Sequence, residues 1–135
     1  MRGRRSARLA PARRTESVAH LAAALTLIVA ALHAGFLMLE MFLWERPVGR
    51  RIFRTTAEFA RASKTLAANQ GLYNGFLAAG LAWSALLGAA GISIRIFFLA
   101  CVIIAGLYGG YTVNRRVVLV QSLPAALALA ATFLS

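Results

Sequence analysis

His33 and Glu40 stand seven residues apart in the string HAGFLMLEMFLW, where every other side chain is apolar, small or aromatic. A carboxyl that takes up a proton or binds a cation, and an imidazole that relays one, are the groups able to do chemistry in such a setting. His33, Leu37, Glu40 and Trp44 follow the i, i+4, i+7, i+11 stripe of one helical face. The histidine and the glutamate are then about 10 Å apart, too far to touch but placed to line one cavity. A second set opens NQGLYNGFLAAG, residues 69–80, with Asn69, Gln70, Tyr73 and Asn74 ahead of an otherwise apolar run. Tyr108 and Thr112, flanked by Tyr111 and Asn114, close a third run, and Gln121 opens a fourth.

The elements that must hold these groups follow from composition. Sixty per cent of the 135 residues are hydrophobic, against roughly 45–50% in soluble domains. Four apolar runs of about 18–25 residues nearly exhaust the chain, each long enough for a hydrocarbon core of roughly 30 Å. The expected fold is all-α: an antiparallel four-transmembrane-helix bundle with spans at about 17–44, 66–90, 94–113 and 117–134. A short interfacial amphipathic helix is expected between the first two spans, and a disordered Arg-rich tail over 1–16. That interfacial helix is read from ERPVGRRIFRTTAEFARASKT, where Ile52, Phe59 and Ser63 recur at near-helical spacing among basic residues. The links between the last three spans are very short, so consecutive helices run antiparallel.

Antiparallel order gathers the polar groups. The end of the first span, the start of the second, the end of the third and the start of the fourth share one membrane surface. His33, Glu40, Asn69, Gln70, Tyr73, Asn74, Tyr108, Thr112 and Gln121 then line a polar pocket in one leaflet, since a buried amide without a partner is costly. The bland alternative is that interhelical hydrogen bonds glue the bundle, with close backbone approach at Gly71-xxx-Gly75 and Gly106-xxx-Gly110. Pro124 frees a backbone carbonyl one turn earlier and is expected to kink the fourth helix.

Several function classes are excluded by count. The net charge of +11 has no aromatic-interleaved groove beside it, so nucleic acid is not the partner. The basic residues flank apolar spans, and the bilayer's anionic lipids are expected at Arg50, Arg51, Arg54, Arg61 and Lys64. The single cysteine, Cys101, permits neither an intrachain disulfide nor a cysteine metal cluster and reads as a small buried hydrophobe. His20 lies thirteen residues before His33 and points to a different face, which argues against bis-histidine haem. With no aspartate, no serine-histidine-acid set and no phosphate loop, no catalytic residue, metal or cofactor is assigned. The remaining readings are small-molecule or proton-coupled transport or ligand binding, for which four helices imply a homo-oligomer, and a structural or accessory membrane role.

HAGFLMLEMFLW, NQGLYNGFLAAG, AGLYGGYTV (105–113) and VQSLPA (120–125) together resemble the small four-helix integral membrane proteins catalogued as domain-of-unknown-function family 1304. The resemblance runs from about Val18 to the end and implies a bacterial, multi-pass protein of the plasma (inner) membrane with no assigned chemistry. The arginine tail departs from that pattern, and one expectation is a true start at Val18. The tail decides topology: loop arginines and lysines number eight on the side of the polar residues against seven opposite with the tail, and eight against one without it. The latter count places the basic loops and the pocket mouth in the cytoplasm.

Overall fold

A computed structural model describes the backbone of residues 3–135 and the side chains from Arg13 onward. Among the described residues the chain is all-α, with six α-helices and no strand: α1 Gly3–Leu37, α2 Pro47–Phe53, α3 Ala57–Ala62, α4 Lys64–Leu86, α5 Ile92–Thr112 and α6 Leu123–Phe133. Two π-turns, Met38–Phe42 and Val118–Ser122, extend α1 at its end and α6 at its start, and a 3₁₀ turn, Gly88–Gly91, precedes α5. Residues 3–16, expected as a disordered tail, are helical backbone continuous with the first span; arginine, alanine and leucine there are all strong helix formers. Residues 1 and 2 of that tail lie outside the described residues.

Among the described residues two helical stretches are long and apolar enough to cross a membrane, Arg13–Phe42 and Gly88–Thr112, and Val118–Phe133 is a shorter apolar helix. The expected second span is helical as α4, but its amides at Asn69, Gln70 and Asn74 dilute its apolar character.

The chain divides into two compact units. In Ala30–Gly80, the end of α1 widens into the Met38–Phe42 π-turn, closed by Leu43 N–H donating to Met38 O at 3.1 Å. The basic connection, expected as one amphipathic helix, forms two. Arg54 adopts a left-handed conformation (φ 55°) that ends α2. Thr56 then starts α3 by accepting from Phe59 N–H at 3.1 Å, the capping role for which threonine is preferred. Ile52 and Phe59 both lie exposed on these two helices.

The other unit comprises the described residues before Ala30 and Leu81–Ser135. Gly88 takes φ 57°, a conformation that lets α4 stop without a Cβ penalty. Arg95 in the first turn of α5 is buried, its Nη2 3.5 Å from Ser84 O. α5 and α6 form a tight hairpin through Asn114, whose Oδ1 accepts from Arg116 N–H at 2.9 Å. The buried apolar side chains are small or medium, among them Ala125, Ala128, Ala131, Val102 and Leu99. Phe97, Ile104, Leu119 and Phe133 face outward, each more than half exposed.

Candidate functional site

The geometry that matters in Ala30–Gly80 starts from a glycine. A Cβ at Gly71 would lie 3.0 Å from Met41 N and 3.2 Å from both Glu40 Cβ and Leu37 O, so a side chain there would push α4 and the π-turn apart by a few tenths of an ångström. Gly75, one turn on, faces the tip of the Leu37 side chain, whose Cδ1 would lie 2.8 Å from a Cβ there and would have to swing aside. Between these glycines, Asn74 is 4% exposed. Its Nδ2 donates to Glu40 Oε2 at 2.7 Å, a short, charge-assisted bond when the carboxyl is ionised. The carboxyl and the amide are a matched pair between helices.

His33 is fully buried two turns before Glu40, its ring edge-to-face with Phe36 at a centroid distance of 5.7 Å. The single α-helical stripe expected through His33, Leu37, Glu40 and Trp44 is interrupted: Glu40 lies inside the π-turn, which takes one residue more than an α-turn. Trp44 lies beyond it in the following turn. Its Nε1 donates to Ser63 Oγ at 3.1 Å, and Ser63 Oγ donates onward to Phe59 O at 2.7 Å.

The remaining candidates stand apart from this pair. Asn69, Gln70 and Tyr73 are exposed on α4, because Gly71, Asn74 and Gly75 at i, i+3, i+4 define the inward face and these three fall outside it. In the other unit Tyr108 is 69% exposed. Thr112 is exposed and spends its hydroxyl on Tyr108 O of its own helix at 2.8 Å. Gln121 is half-buried within the second π-turn. Beside it, Ser122, which the sequence did not single out, is the residue that reaches across, donating to Ile103 O at 3.1 Å. Its signal was its place opposite Gly106, where a Cβ would strike Ser122 Oγ and lie 3.0 Å from Gln121 Cβ.

Ala30–Gly80 also holds a cavity of about 330 Å³ lined by Met41, Phe42, Trp44, Glu45, Arg46 and Lys64. Glu45 and Lys64 form an ion pair at its rim. The hydrogen bond from Lys64, with the charges of Lys64, Arg61 and Arg46, holds the Glu45 carboxyl below the usual carboxylate range against opposing desolvation. Among the described residues no three histidine, cysteine, aspartate or glutamate side chains gather as a metal site. Cys101 is half-buried and free.

Residues 27–133 match the family described as protein of unknown function DUF1304. The chain belongs to this family. Within it, the chain is similar to uncharacterized protein YpaA of Lactococcus lactis subsp. lactis (strain IL1403), 34% identical over 111 residues that cover 81% of this chain and 93% of the relative. No solved structure matches the DUF1304 chain. The match embraces both π-turns, Glu40, Asn74 and the cavity.

Proposed function

We propose that this DUF1304 protein is a multi-pass integral membrane protein of the bacterial inner membrane, crossing four times at about 17–44, 66–90, 94–113 and 117–134. In this reading Glu40, with Asn74 and the buried His33, binds a small polar solute or moves a proton with it. The distribution of side-chain size supports the membrane setting. Alanine, serine and threonine supply much of the inside, beside Leu81, Leu99, Val29 and Val102, while most large apolar side chains are outside, the arrangement expected where lipid, not water, is the solvent. The functional reading is carried by one observation, the Asn74–Glu40 bond at 2.7 Å between two helices otherwise packed through glycine and leucine. A carboxyl placed within an apolar span is expensive and is by default functional.

The cation-rich stretch from α2 to the start of α4, with Arg50, Arg51, Arg54, Arg61 and Lys64 near exposed Ile52 and Phe59, suits a position on anionic headgroups. Alkaline carbonate extraction of membranes tests the setting: the protein stays in the pellet, and release to the supernatant would refute it. Native mass spectrometry in mild detergent tests the site. A reproducible non-lipid bound mass is expected, lost in Glu40→Gln while the variant melts like the native protein. Retention of that mass in the variant ends the ligand-binding reading.

A structural or accessory role is favoured by the glycine contacts, which by themselves account for the close helix pairs. It requires that Glu40→Gln change stability or assembly alone.

A further inference from the structure

The cavity at residues 41–46 and Lys64 has two unlike walls. Met41, Phe42 and the ring of Trp44 are apolar; Glu45, Arg46 and Lys64 are charged. An occupant must be amphiphilic to satisfy both, because a wholly polar one leaves the apolar wall facing polar atoms and a wholly apolar one leaves charge without a partner. At about 330 Å³ the space is at the lower end of the range for ligand pockets, roughly 300–1,000 Å³. It admits a headgroup and the first methylenes of a chain and no more.

Charge narrows the class. Glu45 is committed to Lys64, and among the described residues no carboxylate is paired with Arg46. The wall therefore carries one net positive charge, and the Arg46 guanidinium acts on Glu45 through its field without pairing with it. Guanidinium presents two parallel N–H donors that match two oxygens of a phosphate.

Position commits the source. The apolar stretch Arg13–Phe42 ends at the second residue of the cavity wall, so the wall passes from span to turn within Met41 to Arg46. Trp44 marks the crossing. Its ring is held by the Ser63 hydrogen bond at 3.1 Å and lies tilted on Phe53 at 4.8 Å between centroids, so the indole is a fixed wall of the kind that sits at headgroup level.

We propose that this cavity is a seat for one phospholipid, its phosphodiester on Arg46 and its proximal acyl carbons along Met41 and Phe42. It is a single saturable site, unlike the diffuse attraction of the basic face of α2 and α3. It rests on the membrane reading above and not on the Glu40 site.

The test uses the full chain in mild detergent with Trp83→Phe, leaving Trp44 as the one remaining tryptophan of two. Phosphatidylglycerol carrying brominated chains is titrated while Trp44 fluorescence is followed. Brominated diacylglycerol and inorganic phosphate, the latter as competitor, are the parallel arms. Saturable quenching at one lipid per chain is expected, weakened at least ten-fold in Arg46→Gln and unchanged in Arg115→Gln, an exposed arginine of the α5–α6 connection. Arg46→Lys, which keeps the charge and loses the fork, should fall between. Glu45→Gln releases Lys64 and should tighten binding several-fold. Equal quenching in Arg46→Gln, equal binding of diacylglycerol, or displacement of the lipid by millimolar phosphate would each overturn the seat, the last by identifying a free-anion site. None of these outcomes touches the bound mass expected at Glu40, and carbonate extraction tests the membrane setting separately.

Discussion

In Ala30–Gly80 the π-turn Met38–Phe42 packs on GLYNG (71–75), while in the other unit the π-turn Val118–Ser122 packs on GLYGG (106–110). The two contacts are built alike. In each, the first and last glycines of the motif admit the backbone or side chains of the opposing π-turn region: Leu37, Glu40 and Met41 in one case, Val118, Gln121 and Ser122 in the other. They differ at the fourth residue, Asn74 against Gly109. Asn74 reaches Glu40 at 2.7 Å, whereas a Cβ at Gly109 would already stand 3.0 Å from Val117 Cγ1. The neutral contact is tied instead by Ser122 to a backbone carbonyl. Small residues thus provide the approach in both, and one amide next to one carboxyl turns a packing contact into a place where charge can change.

The largest disturbance is expected at the shared feature. Gly106→Val forces a side chain onto Ser122 Oγ and its backbone N; overpacking of this kind costs about 3 kcal/mol, read as a lower midpoint of unfolding in mixed detergent micelles. Gly35→Ala is the control, because nothing lies within 4 Å of its Cβ. It should be neutral or slightly stabilising, by up to about 1 kcal/mol as for an alanine replacing a helical glycine. If both variants behave alike, the glycine contacts are not what holds the helices together.

Breaking the charged contact from one side comes next. Glu40→Leu leaves the Asn74 amide buried without its acceptor, a loss of roughly 1–3 kcal/mol. Glu40→Leu with Asn74→Leu should recover most of it, and a double-mutant cycle with no coupling would show that the two groups do not act as a pair. Asn74→Gly makes the two motifs identical; the helices should still pack, and the bound mass proposed for Glu40 should be absent. On the neutral side, Ser122→Ala removes one hydrogen bond to Ile103 O, about 1 kcal/mol, with no change in any bound mass.

The smallest effect concerns the ion pair outside both contacts. Because the Glu45 carboxyl is held low by Lys64, its contribution to folding is present above the ordinary carboxylate range and is lost as pH falls through the depressed value. Carbon NMR of the carboxyl should show this low titration, and Lys64→Gln should move it upward. The pair is exposed, so its effect on stability is slight.

Much of the fold was legible. Hydropathy and length placed most helix ends to within a few residues, since an apolar run of sufficient length flanked by arginine or glycine has few alternatives; the start of α1, which runs back through the expected tail to Gly3, was missed because hydropathy does not register a polar helix. The connection after the first span was not legible, because its division into α2 and α3 depends on Arg54 adopting a left-handed turn that no glycine announces. The candidate residues were legible as a class and not as individuals. Glu40 and Asn74 were named among nine, yet counting polar residues near a helix end does not separate those facing inward from those facing out. The i, i+3, i+4 spacing of Gly71, Asn74 and Gly75 would have separated Asn74 from Asn69, Gln70 and Tyr73.

The two π-turns divide what the sequence determines from what it does not. Pro124 has no N–H to offer Val120 O, and its ring collides with that carbonyl in a regular helix, so the widening at Val118–Ser122 is written locally. No proline accompanies Met38–Phe42. There the reason is tertiary: α4, bare of a side chain at Gly71, comes within 3.0–3.2 Å of the turn's backbone and of Glu40 Cβ at the position of a Cβ, and Asn74 holds the carboxyl from the facing helix. Composition supplied a carboxyl in an apolar helix; only the packing of the second helix against the first chose its partner, because a hydrogen bond between helices depends on their register and approach, which no single helix contains.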